Sequence, residues 1–320
     1  MARGHWARST EELRKRLATA VPRETLRELH RRSAARHLAV AFRQALLFAG
    51  AFAAGWVFES LWVRIPAAIV LGVCVFDGTI LLHEVVHRTV FRSDRPLAYR
   101  LLGLLYALPS GLSPTQFTRW HLDHHAELGS AEDDPKRAWL SPKRNARWLK
   151  LLYATPALFP IYFRAARRAM AGYPAQLRRT ILLERAAATL LHLAVAAAIV
   201  LAGGWERAAW LWAVPVFVVF PPVFALNRLG QHYDVVPGEP AKWGTRMARS
   251  RFWDAVWLWS SYHLEHHYFP TVPFYRLRDL NAALTPFFTR EGVRERRYRE
   301  LVRDWIVRNR APHTDWSARL

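Results

Sequence analysis

The sequence predicts an all-α integral membrane protein with four transmembrane helices arranged as two hairpins and a helical cap on the cytoplasmic side. Three observations predict it. Four runs are apolar and long enough to cross a bilayer, which takes about 20 residues: Ala45–Val63, Pro66–Leu82, Ala186–Leu201 and Ala208–Leu226. Only a tiny turn containing Arg64 joins the first pair, and only Gly203-Gly204-Trp205-Glu206-Arg207 joins the second. Nearly all other arginines fall in the N-terminal arm, the Arg88–Arg179 stretch and the C-terminal tail, so the positive-inside rule puts all three in the cytoplasm. A mean hydropathy of −0.05 conceals this, because it averages apolar runs with basic connectors.

Taken in order, residues 1–37 read as a basic amphipathic arm. Ser9 with Glu12 matches a capping box, and Pro22 suits the start of a second helix. No apolar core begins before Leu38, which argues against a secretory leader, and Arg31-Arg32 reads as a basic flank rather than a twin-arginine signal. Residues 38–280 form the membrane domain. Two further apolar stretches within it, Leu101–Leu112 and Trp148–Phe163, read as re-entrant or interfacial; the first is too short to span and ends in Pro109-Ser110-Gly111. Residues 281–320 read as a basic cytoplasmic tail.

Charge and cysteine usage narrow the function. The chain carries 46 Lys and Arg against 25 Asp and Glu, a net +21, with 41 of the bases arginine. No RNP, finger or basic-zipper pattern accompanies that charge, so nucleic acid is not an expected partner. Anionic lipid and an acidic electron-donor protein are better uses of it. The single cysteine, Cys74, excludes a disulfide framework and any CxxC site; inside an apolar run it reads as packing.

Histidine is the informative residue. Eight of fourteen fall in three clusters: His83 with His87, His121 with His124 and His125, and His263 with His266 and His267. Spacings of three and four put imidazoles on one helix face, as metal ligation from helices requires. At this histidine content one chance HxxHH is expected about 0.03 times, and two far less often. The first cluster lies at the cytoplasmic end of the second span and the second just after it. Two crossings then precede the third, so all three reach one membrane face. The last span ends in Asn227-Arg-Leu-Gly-Gln231-His232, which delivers a ninth imidazole there. Nine histidines exceed one tetrahedral zinc and suit two metal ions.

These motifs resemble the membrane fatty-acid desaturase/hydroxylase superfamily, integral-membrane non-haem diiron enzymes. The matching pieces are HxxxH at 83–87, HxxHH at 121–125 and at 263–267, and the continuation His266-His267-Tyr-Phe-Pro270-Thr-Val-Pro273-Phe-Tyr-Arg-Leu277, like the family's HHxxPxxPxxxL. The resemblance covers about residues 38–280. It implies that His83, His87, His121, His124, His125, His263, His266 and His267 bind two iron ions in the cap, with His232 as a ninth ligand. Some relatives add an Asn that holds a metal-bound water; Asn227 matches, although it precedes His232 by five residues where four are expected. No HPGG motif is present, so the two electrons come from an external ferredoxin or cytochrome b5-type donor rather than a fused one.

The implied reaction is O2-dependent attack on an unactivated C–H bond of a lipid or acyl chain in a bacterial-type inner membrane. Desaturation of a fatty acyl chain is the main expectation, with hydroxylation or ketolation of a lipid, alkane or carotenoid on the same site as the alternative. Coenzyme A, acyl carrier protein and intact lipid all stay open as carriers. Each ligating ring needs an acceptor for its second nitrogen; Glu84, Asp123, Glu127, Glu265 and Asp234 lie beside the clusters, and Asp77 is six residues before His83. Asp133-Asp134-Pro135 reads as a turn. The run Phe252, Trp253, Trp257, Trp259 and Tyr262 would line the substrate channel or pack at the interface. His192, inside a span, reads as a helix-packing hydrogen bonder, and His5, His30, His37 and His313 belong to no cluster. Two other classes compete: His83-Glu84-Val85-Val86-His87 is a literal HExxH, the zinc-protease motif, and clustered histidines also suit a metal transporter. The first leaves two clusters unexplained; the second expects sites near the bilayer midplane.

Overall fold

The computed structural model describes residues 4–233 and 235–311; Asp234 and His313 lie outside the described residues. The chain is mostly helical. Among the described residues only Arg246–Met247 and Glu295–Arg296 pair as strands, in a two-residue parallel bridge.

Three helical runs are long and apolar enough to cross a membrane: α4 (Ala34–Val57), α5 (Leu61–Val86) and the 58 residues Ala175–His232. Ser33 caps α4 by accepting from the Arg36 amide, so the helix starts eleven residues before the expected apolar core. The turn before α5 is residues 58–60. Arg64 therefore sits inside α5 rather than in the turn, buried, and pairs with Glu206; Arg207 in return reaches Glu59. The third run comprises α10 (Ala175–Ala208), a π-helical stretch Ala209–Val219 around Pro215, and α11 (Phe220–His232). It breaks at Gly204, whose φ of 81° and ψ of 173° no helix adopts, and Ile199 before the break packs with Ala208 and Leu211 after it. α5 is buried along most of its length, whereas α4 and the third run turn bare leucines, valines and phenylalanines outward.

The shorter helices form one body over the ends of these runs. The arm, α1 (His5–Ser9), α2 (Glu11–Ala18) and α3 (Arg23–Leu29), buries Leu13, Leu17, Val21 and Leu29 in the same core as Leu280, Phe287, Phe288 and Leu301. The expected Ser9 capping box does not form: Ser9 ends α1 and its hydroxyl meets His5 instead. Nor is 281 the start of a tail. α14 (Leu277–Ala283), α15 (Thr285–Arg290) and α16 (Tyr298–Val302) supply the centre of that core, because Leu277, Leu280 and Leu284, then Phe287 and Phe288, then Tyr298 and Leu301 recur at helical spacing.

The two ambiguous stretches flank α5 and the third run. α6 (Pro96–Ala107) and the Leu108–Ser110 turn close on Gly111 in the left-handed region, and His192 Nε2 donates to the Leu108 carbonyl at 3.0 Å while Trp212 donates to its Nδ1 at 3.1 Å. His192 is thus the helix-packing group the sequence suggests. α7 (Pro114–Glu127) starts at the Ser113 cap, and Glu184 of α10 accepts from Ser113 Oγ at 2.5 Å, Thr115 N at 3.1 Å and Thr115 Oγ1 at 2.6 Å. α8 (Arg147–Leu152) and α9 (Leu158–Ala171) close that side. Cys74 is buried in α5, as expected of a packing residue.

Gly129 has φ of 93°, and a Cβ there would overlap the Trp243 ring. Gly129→Ala combines left-handed strain with a clash in a closed cluster, so it should destabilise the protein by about 3 kcal/mol or more. Thermal unfolding in detergent checks this; an unchanged midpoint would mean that the loop carrying Trp243 is not held as described.

Candidate metal centre

Each histidine cluster sits at a helix end or on a short helix whose geometry the sequence sets locally. α5 ends in a Schellman-type turn: Arg88 adopts φ of 53°, its amide bonds to Val85 O at 3.2 Å, and the Thr89 amide bonds to Glu84 O at 3.1 Å. That turn leaves His83 and His87 on the last turn. α7 carries His121, His124 and His125, and α13 (His263–Tyr268) carries His263, His266 and His267. Before α13 the chain turns sharply through Leu258 and Trp259, both at positive φ and held by the buried Leu258. His232 closes α11.

The nine rings converge as two sets. His83, His87, His121, His125 and His266 form one; His124, His232, His263 and His267 form the other; within each, the nearest ring nitrogens all lie within 4.8 Å of one another. Adjacent Nε2 atoms are closer still: 2.8 Å for His87–His121, 3.1 Å for His125–His266, 3.1 Å for His124–His232, and 3.1, 3.3 and 3.0 Å around His232, His263 and His267. The HxxHH motifs divide unevenly. In α7 the i, i+4 pair joins the first set and the i+3 ring the second; in α13 the assignment is reversed.

Burial holds His87, His121, His124, His125, His263, His266 and His267 well below the ordinary imidazole range, with neighbouring rings and Lys136 adding to it. The rings are therefore neutral and each has one lone pair. Three mutually close nitrogens cannot satisfy one another with single protons, but a cation between them accepts every lone pair at once. The spacing of about 3 Å suits donors sharing an ion at ~2.1 Å. His83 Nε2, buried and without a hydrogen-bond partner, faces the same need. The donor set therefore fits two metal ions of the kind imidazole prefers, iron among them.

Several rings have their second nitrogen held. His124 Nδ1 donates to Asp134 Oδ1 at 2.8 Å, His232 Nδ1 donates to the Trp243 carbonyl at 3.1 Å, and His83 Nδ1 meets Glu84 Oε1 at 3.3 Å. Glu84 is itself fixed by Thr89 Oγ1 at 2.6 Å and the Phe274 amide at 3.0 Å, which ties the first cluster to the Pro273 turn. Lys136 Nζ lies 3.3 Å from His121 Nδ1, and burial pushes its amine well below the usual lysine range.

Of the expected carboxylates among the described residues, only Glu84 meets a clustered ring. Asp77 is bound by Gln44 of α4, since six residues on a helix turn it to another face than His83. Asp123 pairs with Arg119 at 3.0 Å, Glu265 accepts from Asn281 at 2.5 Å, and Glu127 accepts from the His5 amide at 3.0 Å. The acceptor that sequence reading set aside as a turn is Asp134, buried and pinned by the Lys136 amide at 3.0 Å. Its signal was a carboxylate one short loop beyond the second cluster. Asn227 is buried near the rings, donating to Ser260 Oγ and accepting from Gln231, both at 2.9 Å.

A cavity of about 120 Å³ runs from these rings between α5, α7, α9 and α11. Its walls are Phe76, Ile80, Leu112, Phe117, Phe159, Phe220 and Phe224, and its polar end is His83, His121, His263, His266, Asn227 and Lys136. Of the aromatic run only Tyr262 reaches it. Trp253 stacks on Trp257 at 4.1 Å, both pack on Tyr298, and Trp259 packs on Phe274, so this segment anchors the core instead.

The profile of the fatty acid desaturase family matches residues 59–299, about three quarters of the chain. Relatives include the sphingolipid delta(4)-desaturase/C4-monooxygenase of Bos taurus, 27% identical over 64% of this chain and 61% of that protein, and the sphingolipid delta(4)-desaturase of Drosophila melanogaster, 25% identical over 71% and 68%. The dihydrorhizobitoxine desaturase of Bradyrhizobium elkanii is 24% identical over 68% of this chain and 66% of its own. The chain thus spans about two thirds of the length of these relatives. Matched from the helix bearing the first histidine cluster to the helix that closes the cap core, the chain belongs to the fatty acid desaturase family.

Proposed function

We propose that this protein is an integral-membrane diiron enzyme that desaturates a long alkyl chain of a lipid. The observation that carries the reading is the apolar cavity, which ends on rings of both histidine sets. In this reading the chain crosses the membrane four times, the third run counting as two crossings around Gly204, and the metal centre and both termini face the cytoplasm of a bacterial-type inner membrane. The chemistry two irons supply there is the use of O2 and two electrons from an external ferredoxin or cytochrome b5-type donor to oxidise an unactivated C–H bond.

The chain's own residues do the rest. His83, His87, His121, His125 and His266 would hold one iron, and His124, His232, His263 and His267 the other. Asp134, Glu84 and the Trp243 carbonyl keep the Nδ1 proton on their rings, so that Nε2 points at the metal. Asn227, which lines the same cavity as the rings, would hold a metal-bound water. Phe76, Ile80, Phe159 and Phe220 surround the alkyl chain and exclude water from the oxidised carbon. The names of the sphingolipid relatives support a lipid substrate, and the C4-monooxygenase in one of them favours hydroxylation as the second reading. A zinc-protease role for Glu84 is opposed by its environment, since both its oxygens already have partners.

Three outcomes are expected. Purified protein should contain two irons per chain, and His124→Ala should lose one of them together with all turnover; full activity in that variant would sink the shared-site reading. Asp134→Ala should weaken metal binding about 10- to 100-fold, read by competition with a chelator, while leaving the fold intact by circular dichroism. Lipids from cells expressing the protein, compared by mass spectrometry with those from cells expressing His266→Ala, should contain new species lacking two hydrogens. Species gaining one oxygen instead would establish the hydroxylase, and identical lipid profiles would reject both.

A further inference from the structure

Between Asp134 and Glu184 the sequence contains no Asp or Glu, yet it carries eleven Lys and Arg. Five of those bases serve the fold. Lys136 reaches His121 at the metal centre's edge, Arg137 beside it is buried, and Lys143, Arg147 and Lys150 donate to the carbonyls of Arg137, Ile306 and Trp305. Five others flank the corner where α9 passes into α10, with Arg164, Arg167 and Arg168 on the second half of α9 and Arg178 and Arg179 at the start of α10. All five are exposed, and among the described residues they meet no carboxylate. Some exposed arginines elsewhere do find one, as Arg16 finds Glu291 and Arg31 finds Glu28.

What lies next along the chain identifies the partner. Three and four residues beyond Arg179, about 5–6 Å further along the helix axis, Leu182 and Leu183 stand 54% and 62% exposed, and after Glu184 and Arg185, which bond to Ser113 and Gln116, α10 continues into its apolar run. Cations followed at once by bare leucines on one helix repeat the order of a leaflet, headgroups and then acyl chains. An acidic protein would answer the arginines and leave the leucines in water. A negatively charged lipid answers both.

We propose that the α9–α10 corner binds the headgroups of anionic phospholipids in preference to zwitterionic ones. The corner also adjoins the working parts. The opposite face of α9 supplies Phe159, Tyr162 and Phe163 to the cavity, and Glu184, one turn past Arg179, holds the start of the helix bearing the second histidine cluster. Bound lipid there fixes both elements relative to the bilayer. This inference concerns the seating of the protein in the membrane and stands independently of the reaction assigned to it.

The test uses the full chain reconstituted in nanodiscs of equal phosphatidylglycerol and phosphatidylcholine, then extracted with mild detergent, with the retained lipids counted by mass spectrometry. The unaltered protein should be enriched in phosphatidylglycerol, less so at high salt. Arg178→Gln with Arg179→Gln should lower the enrichment at least about fivefold, the factor for one to two surface charges, whereas Arg31→Gln should not change it. Equal retention of the two lipids by the unaltered protein, or full enrichment in the double variant, would overturn the proposal. So would a double variant that keeps its lipid preference but no longer binds an acidic ferredoxin, which would make the corner a protein-docking surface. Because lipid retention is read without turnover, failure of the oxidation reading leaves this result interpretable.

Discussion

Nine imidazoles brought together as two sets, six of them buried and their closest ring nitrogens 2.8–3.3 Å apart, are the constraint on which the rest of the structure depends. Lone pairs at that distance repel unless a cation lies between them, and burial prevents the rings from supplying the charge by protonation. The fold must therefore hold the rings rigidly enough that a metal ion is the favourable answer. Most of the cap's unusual local features serve that purpose. The left-handed Arg88 ends α5 at the first cluster, the positive-φ pair Leu258-Trp259 turns the chain into the third, and Gly129 lets the Trp243 ring pack close so that its carbonyl meets His232.

The supports come from distant parts of the chain. Glu84 joins the first cluster to the segment after the third, Asp134 reaches back to the second, and Glu184 fastens the start of α7 from a helix whose next turns are apolar. A membrane helix is thus rigidly connected to three of the nine rings. Placing the centre at the end of α5 also explains the cavity. The same helix that presents His83 lines the space below it with Phe76 and Ile80, so the apolar cavity and the rings share one helix.

Outside the site, polar contacts at the far end of the apolar helices perform a different task. Arg64 and Glu206, with Arg207 and Glu59, cross-link the two short turns that the sequence places on the outer side. An arginine buried in an apolar helix is costly unless paired. The pairing ties α5 to the third run at the end opposite the histidines.

The sequence by itself determined the apolar runs and the identity of the nine rings that meet. These depend on hydropathy and on helical spacings of three and four, which are local properties of the chain. It did not reveal that the C-terminal helices form the centre of the cap core, that Asp134 rather than Asp77, Asp123 or Glu265 meets a clustered ring, or that the tryptophans before the third cluster pack away from the cavity. Nor did it reveal how the rings divide, since adjacent histidines in HxxHH point about 100° apart and which set each joins depends on where the facing helices stand. Those outcomes rest on contacts between residues far apart in sequence. Only the tertiary structure fixes these, because a side chain's partner depends on the packing of whole helices and not on the residues beside it.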